Sequence, residues 1–172
     1  ASERFYPLRM DIRIVQRFPC SAQKLWAITR DPAFEKETRE AANVDVSVLK
    51  SEERNGLLIE RVRITSRKEL PGLMRSAVGA DRMVYDQEME SDLAKFTTTW
   101  KVIPAFAADK VKCGGTSKMV ATGPDSCERV VSGEIKVSIP LVGGKIEQGI
   151  VSELENSYAK TAEVINRWIR KS

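Results

Sequence analysis

Histidine is absent from the 172-residue chain. Its absence excludes the Ser-His-Asp and Cys-His catalytic arrangements and every His-ligated metal site, and with them most hydrolase mechanisms. Cysteine is scarce. Cys20, Cys113 and Cys127 are odd in number, widely spaced and without a C-x-x-C pair, so neither a zinc site nor a redox dithiol is expected, and a reducing compartment is the simplest reading. Nowhere do about 18 apolar residues run together, so no bilayer-spanning helix is expected. The opening ASERFYPLRMDIRIVQRF lacks the apolar core of a secretory signal. The expected location is cytoplasmic, or an organellar stroma or matrix if a transit peptide has been removed. There is no low-complexity tract, no linker and no internal repeat.

What is present is an ordinary globular composition, 42% hydrophobic and 30% charged. A chain of this length fits one domain, residues 1–172 with an extension at 1–8, and can bury about 70% of its unfolded surface. The net charge of +4 comes from 28 basic and 24 acidic residues spread along the chain. It marks mixed surface charge rather than a basic arm, and no nucleic-acid partner is expected.

The alternation in MDIRIVQRF (Met10 to Phe18) predicts a first strand, and PCSAQKLWAITRDPAFEKETREAA predicts two short helices parted at Asp31-Pro32. β-branched runs then flank Asn55-Gly56, a strong hairpin signal. Further alternating runs, among them RMVYDQEME and KFTTTWKVI, bring the count to six or seven antiparallel strands. The last strand sets Val131, Gly133, Ile135 and Val137 on one face. After Pro140 the period becomes 3.6: Ile146, Ile150, Leu154, Tyr158, Val164, Ile165 and Trp168 share an arc of about 160°. One amphipathic helix over 143–171 is predicted. The fold class is α+β, with the closing helix laid across the concave side of a curved sheet.

That order, with FPCSAQKLWAITRDPAFEK after the first strand and VSIPLVGGKIEQGI entering the last helix, resembles the START-like superfamily and its helix-grip fold. More narrowly, ELPG (Glu69 to Gly72) and PLVGGKIE (Pro140 to Glu147) resemble an uncharacterised START-like family. The resemblance implies a cavity between sheet and helix, open near one helix end, that takes a lipid or other hydrophobic small molecule. Carriage or sensing of that ligand is the expected function. A cyclase or dehydratase and a ligand-free docking adaptor are the alternatives.

Two segments are candidates for the mouth. In 68–80, Leu70, Leu73, Met74 and Val78 sit on a short helix between Pro71-Gly72 and Gly79, beside Arg67, Lys68 and Arg75. This is either a cap on the core or a gate able to touch a membrane surface. In 103–109, Phe106 either packs on the barrel end or forms the opposing lip. Met83, Tyr85 and Met89 repeat at period two on one strand and suit an adaptable cavity wall or an ordinary core. Trp100, like Trp26 and Trp168, reads as core. Tyr158 is the best candidate to orient a polar head group.

Two carboxylates fall on apolar faces. Glu60 shares its face with Leu58, Val62 and Ile64, and Glu147 lies inside the helix arc. With Gly144 as N-cap, Glu147 would be a capping-box residue at the third helical position; the other reading is a cavity acid. Gly114-Gly115 and Gly143-Gly144 match no nucleotide-binding pattern and read as a bulge or turn and a helix entry. No cofactor, metal or catalytic residue is expected, and the chain is expected to be a monomer.

Overall fold

The computed structural model describes residues 10–172, so the extension expected at 1–8 lies outside the described residues. Strand β1 (Met10–Phe18) leads into α1 (Ala22–Thr29) and α2 (Pro32–Ala42). Then come β2 (Val44–Arg54), β3 (Leu57–Glu69), the short α3 (Gly72–Val78), β4 (Arg82–Asp92) and β5 (Thr97–Pro104). A 3-10 turn (Ala108–Lys110), β6 (Val111–Gly123), β7 (Ser126–Val137) and α4 (Gly143–Lys171) complete the chain. The described strands number seven, all paired antiparallel in the order β1-β7-β6-β5-β4-β3-β2.

Local chemistry sets the boundaries. The Ser21 hydroxyl accepts from the Lys24 N–H and starts α1, and the Asp31 carboxylate accepts from the Ala33 N–H before Pro32 opens α2. Asn43, in the left-handed region at φ 57°, ends α2 and turns the chain into β2. Asn55 and Gly56 both have positive φ, as a two-residue hairpin between β2 and β3 requires.

Period-two alternation aims one face of every strand at α4. One continuous row across that face reads Ile12, Gly133, Gly115, Trp100, Met89, Glu60. The next reads Met10, Ile135, Cys113, Val102, Gln87, Val62. Gly114-Gly115 forms neither bulge nor turn: both residues pair regularly within β6. The reason is close approach. A Cβ on Gly115 would stand 1.9 Å from the Ser132 carbonyl oxygen, and one on Gly133 would stand 2.9 Å from Cζ2 of Trp100. The indole thus lies over a bed that side chains would fill.

Two apolar clusters result. One joins Phe18, Cys20, Leu25, Phe34, Cys127 and Ile165, where α1, α2 and the C-terminal half of α4 meet the sheet. The other joins Ile12, Trp100, Val131, Ile135 and Ile146.

Candidate functional site

Helix α4 is fastened to the rest of the molecule at both ends. At its start, the cap is Val142 rather than Gly144, so Glu147 is the fifth helical residue and lies beyond capping-box range. Its Oε1 accepts instead from the backbone N–H of Val137, the last residue of β7, at 2.7 Å, and the side chain is wholly enclosed. Glu147 is therefore a strut between helix and sheet. Gly143 permits the approach: a Cβ there would stand 2.4 Å from the Val137 carbonyl oxygen. At the other end Val164 and Ile165 are enclosed, Trp168 Nε1 donates to Glu37 of α2 at 2.8 Å, and Phe34 meets the Trp168 ring edge-on.

Between these anchors the helix is less enclosed. Ile150, Val151, Leu154 and Tyr158 are half-buried and share the second cluster with Met74, Met89, Val102 and Trp100. Opposite, on β3 and β4, the inward Leu58, Glu60, Met83, Tyr85, Gln87 and Met89 are likewise half-buried, while Val62 and Ile64 of β3 are buried. Of the residues expected to line a cavity, Met74, Met89, Trp100, Ile146, Ile150, Leu154 and Tyr158 thus come together, with Ile146 sealed inside the packing. Tyr85 lies near Tyr158 and Cys113. Leu70, Val78 and Phe106 are half-buried, at the end of the sheet where β3, β5 and β7 finish. Leu73 does not face inward: it is 68% exposed on the outside of α3.

The polar groups on this inner face are few. Trp100 Nε1 is enclosed and meets no acceptor among the described residues. Burial pushes the Tyr85 phenol up to about 12, and burial also raises Tyr158, against the pull of the neighbouring Arg129. Arg129 of β7 is 6% exposed and lies over the Tyr158 ring at 4.8 Å, with its Nε donating to Gln16 Oε1 at 3.0 Å. Gln16 in turn donates to the Tyr158 carbonyl at 3.0 Å. Arg30, at the α1–α2 junction, stacks 3.9 Å over Trp26, with its Nε enclosed and without an acceptor among the described residues and the Glu60 and Glu35 carboxylates nearby. Burial raises the Glu35 carboxyl, partly offset by its ion pair with Arg39.

Arg129, Gln16 and Arg30 were missed from the sequence. The first two were within reach: continuing the alternation back from Val131 lands on Arg129, and forward from Ile14 lands on Gln16. The three thiols are buried. Burial raises all three, Cys113 to about 11 and Cys127 to about 12, far from the lowered values of nucleophilic cysteines. Among the described residues no cluster of Cys, Asp or Glu could hold a metal ion, and no helix is long and apolar enough to cross a membrane.

Two open grooves, of about 620 and 530 Å³, lie on the convex side. Their side chains, Thr99, Lys101, Ile103, Lys112 and Glu134 in one and Ile59, Arg61, Glu88 and Glu90 in the other, alternate with the inward Trp100 and Met89. Both are wide open to solvent and carry charged side chains among apolar surface.

A curved antiparallel sheet with two short helices after its first strand and a long closing helix is the START-like, helix-grip fold. Solved structures of that fold superpose over nearly the whole chain. The Zhui aromatase/cyclase from Streptomyces sp. R1128 gives a TM-score of 0.66 at 11% identity, covering 95% of each chain. Norcoclaurine synthase from Thalictrum flavum gives 0.64 at 17%, covering 100% of this chain and 97% of its own. A START superfamily protein from Mycobacterium smegmatis gives 0.58 at 16%, covering 92% and 98%. Within that class the chain belongs to the family described as protein of unknown function DUF2505, whose model matches residues 13–169. No curated protein sequence matches it.

Proposed function

We propose that the protein binds and carries, or senses, a lipid-like or other hydrophobic small molecule between the concave face of the sheet and the middle of α4. The observation that carries this reading is the incomplete closure there. Ile150, Leu154 and Tyr158 on the helix and Tyr85 and Met89 on the sheet face each other while only half-buried. Apolar side chains left partly open on an inner face are stabilised when a ligand removes them from water.

Met74 of α3 reaches the same cluster while Leu73, one residue away, points outward. A short helix with one apolar residue on each side suits a gate, and Leu73 beside Arg75 and Lys68 suits brief contact with a membrane surface. Glu147 contributes to the fold rather than to a reaction, because its carboxylate is engaged by the strand N–H.

Native mass spectrometry of protein purified from its host without detergent, with solvent extraction of the same sample, tests the reading. A bound hydrophobic molecule released on denaturation is the expected result. Protein that is empty from its host, and that takes up no lipid or fluorescent apolar probe, sinks it.

A further inference from the structure

We infer that the ligand is an amphipath with an anionic head group and that Arg129 is its anchor; the inference rests on the hydrophobic-ligand reading above and adds the chemistry of the head. Arg129 projects from the inner face of β7, with Gln16 of β1 on one side and Met119 of β6 on the other. A guanidinium keeps its charge at any physiological pH and presents five donors. Among the described residues, the only side-chain acceptor it meets is Gln16 Oε1, which takes both Nε and Nη2. Nη1 donates to none of them.

Arg17, Arg61, Arg63, Arg67 and Arg167 all pair with carboxylates, although water could solvate each of them. Arg129, at 6% exposure, has no carboxylate partner among the described residues. A buried charge without a counter-charge is costly, and the cost is removed when an anion arrives.

The group is also held in place. The Gln16 amide ties it to the helix through the Tyr158 carbonyl, and the guanidinium plane rests over the Tyr158 and Phe18 rings at 4.8 and 5.6 Å. A fixed, planar donor set is what two-point recognition of an anionic oxygen pair needs. From Arg129 the open wall is reached past Tyr158, whose ring the guanidinium covers at 4.8 Å and which lies near Tyr85 of β4. A head at Arg129 therefore leads a chain toward the half-buried apolar wall.

The experiment titrates delipidated full-length protein with dodecanoate, dodecyl phosphate and dodecanol, read by calorimetry. For the wild type we expect at least one anion to bind tenfold or more tighter than the alcohol. In Arg129→Met, which keeps the length and apolar bulk of the side chain, all three ligands should bind within about twofold of one another, and the variant should melt no lower than the wild type because a lone buried charge has been removed. Equal binding of the three by the wild type, dodecanol binding alone, or a tenfold preference surviving in Arg129→Met overturns the assignment. Failure of all three to bind overturns it together with the hydrophobic-ligand reading. The wild-type titrations decide the question even if Arg129→Met does not fold.

Discussion

Beneath β1, β6 and β7 the concave face is closed by α1 and α4, and Leu25, Val131, Ile135 and Ile165 are wholly enclosed there. Across β3 and β4 the same face, built by the same alternation, buries Val62 and Ile64 but carries Leu58, Tyr85, Gln87 and Met89 only half-buried. The difference follows from width. A helix with its side chains is about 10–12 Å across, while seven strands about 4.8 Å apart span nearly 30 Å. One helix laid over one side of such a sheet must leave the other side open. The closed half is thus held by burial, and the open half is available to a ligand.

The sharpest way to break the closed half is to add one carbon where β6 and β7 approach. In Gly115→Ala the new Cβ would meet the Ser132 carbonyl oxygen at 1.9 Å, a backbone atom that cannot swing aside. We expect insoluble protein or a loss above about 4 kcal/mol in urea unfolding, at the extreme of single-substitution effects. A variant unfolding within 1 kcal/mol of the wild type, an order-of-magnitude threshold for a tolerated change, would show that the strands part easily and that Trp100 needs no such bed.

A matched pair of truncations tests the comparison directly. Leu25→Ala removes a fully enclosed side chain and should cost about 2–5 kcal/mol. Met89→Ala removes a half-buried one from the open wall and should cost below about 1 kcal/mol while weakening ligand binding. Equal losses would mean that the open half is as tightly packed as the closed one.

Glu147 sits where the two halves share the start of α4. Glu147→Ala strips the Val137 N–H of its acceptor in an enclosed place, so we expect a loss of about 1–3 kcal/mol. Glu147→Gln retains a carbonyl oxygen for that bond and should lose less. Ligand binding should change little in the Gln variant, whereas an acid lining the cavity would alter affinity more than stability.

The same contrast explains what the sequence made legible. β1, the two short helices, the Asn55-Gly56 hairpin and α4 were readable because each carries its own local signal in period, cap or turn residue. Cavity candidates such as Met89, Trp100 and Tyr158 were readable because parity or helical phase places them on the inner face. The role of Glu147 was not. Its partner is a main-chain N–H ten residues away, and a backbone donor leaves no trace in residue identity. The function of Gly114-Gly115 was hidden for a related reason, since close approach depends on Ser132 and Gly133 of the neighbouring strand. Arg129 has the right parity, but an arginine in a strand reads as outward-facing until its partners are placed.

The smallest expected effect concerns how the open half is held from behind. On the convex side of β3 and β4, Asp86 accepts from Arg63 at 2.8 Å and from Arg61 at 2.7 Å, and Arg61 also reaches Glu88 at 3.2 Å. Hydrogen bonds from Arg63, and after it Arg61, hold the Asp86 carboxyl below the usual carboxylate range. Because its folded pKa is depressed, its stabilisation is fully present above the unfolded value of about 4 and is lost as pH falls through the folded one. Both arginines are more than 40% exposed, so solvent screens the network and the gain is modest. Amide exchange of β3 and β4 should therefore be faster in Asp86→Asn than in the wild type at pH 7, after correction for intrinsic rates, and the two should converge as pH drops below about 4. Exchange in β1 and β7 should not differ at either pH, because burial there does not titrate. A loss of protection spread evenly over all seven strands would mean that the halves unfold as one unit, and the division between a packed side and a ligand-ready side would not extend to their energetics.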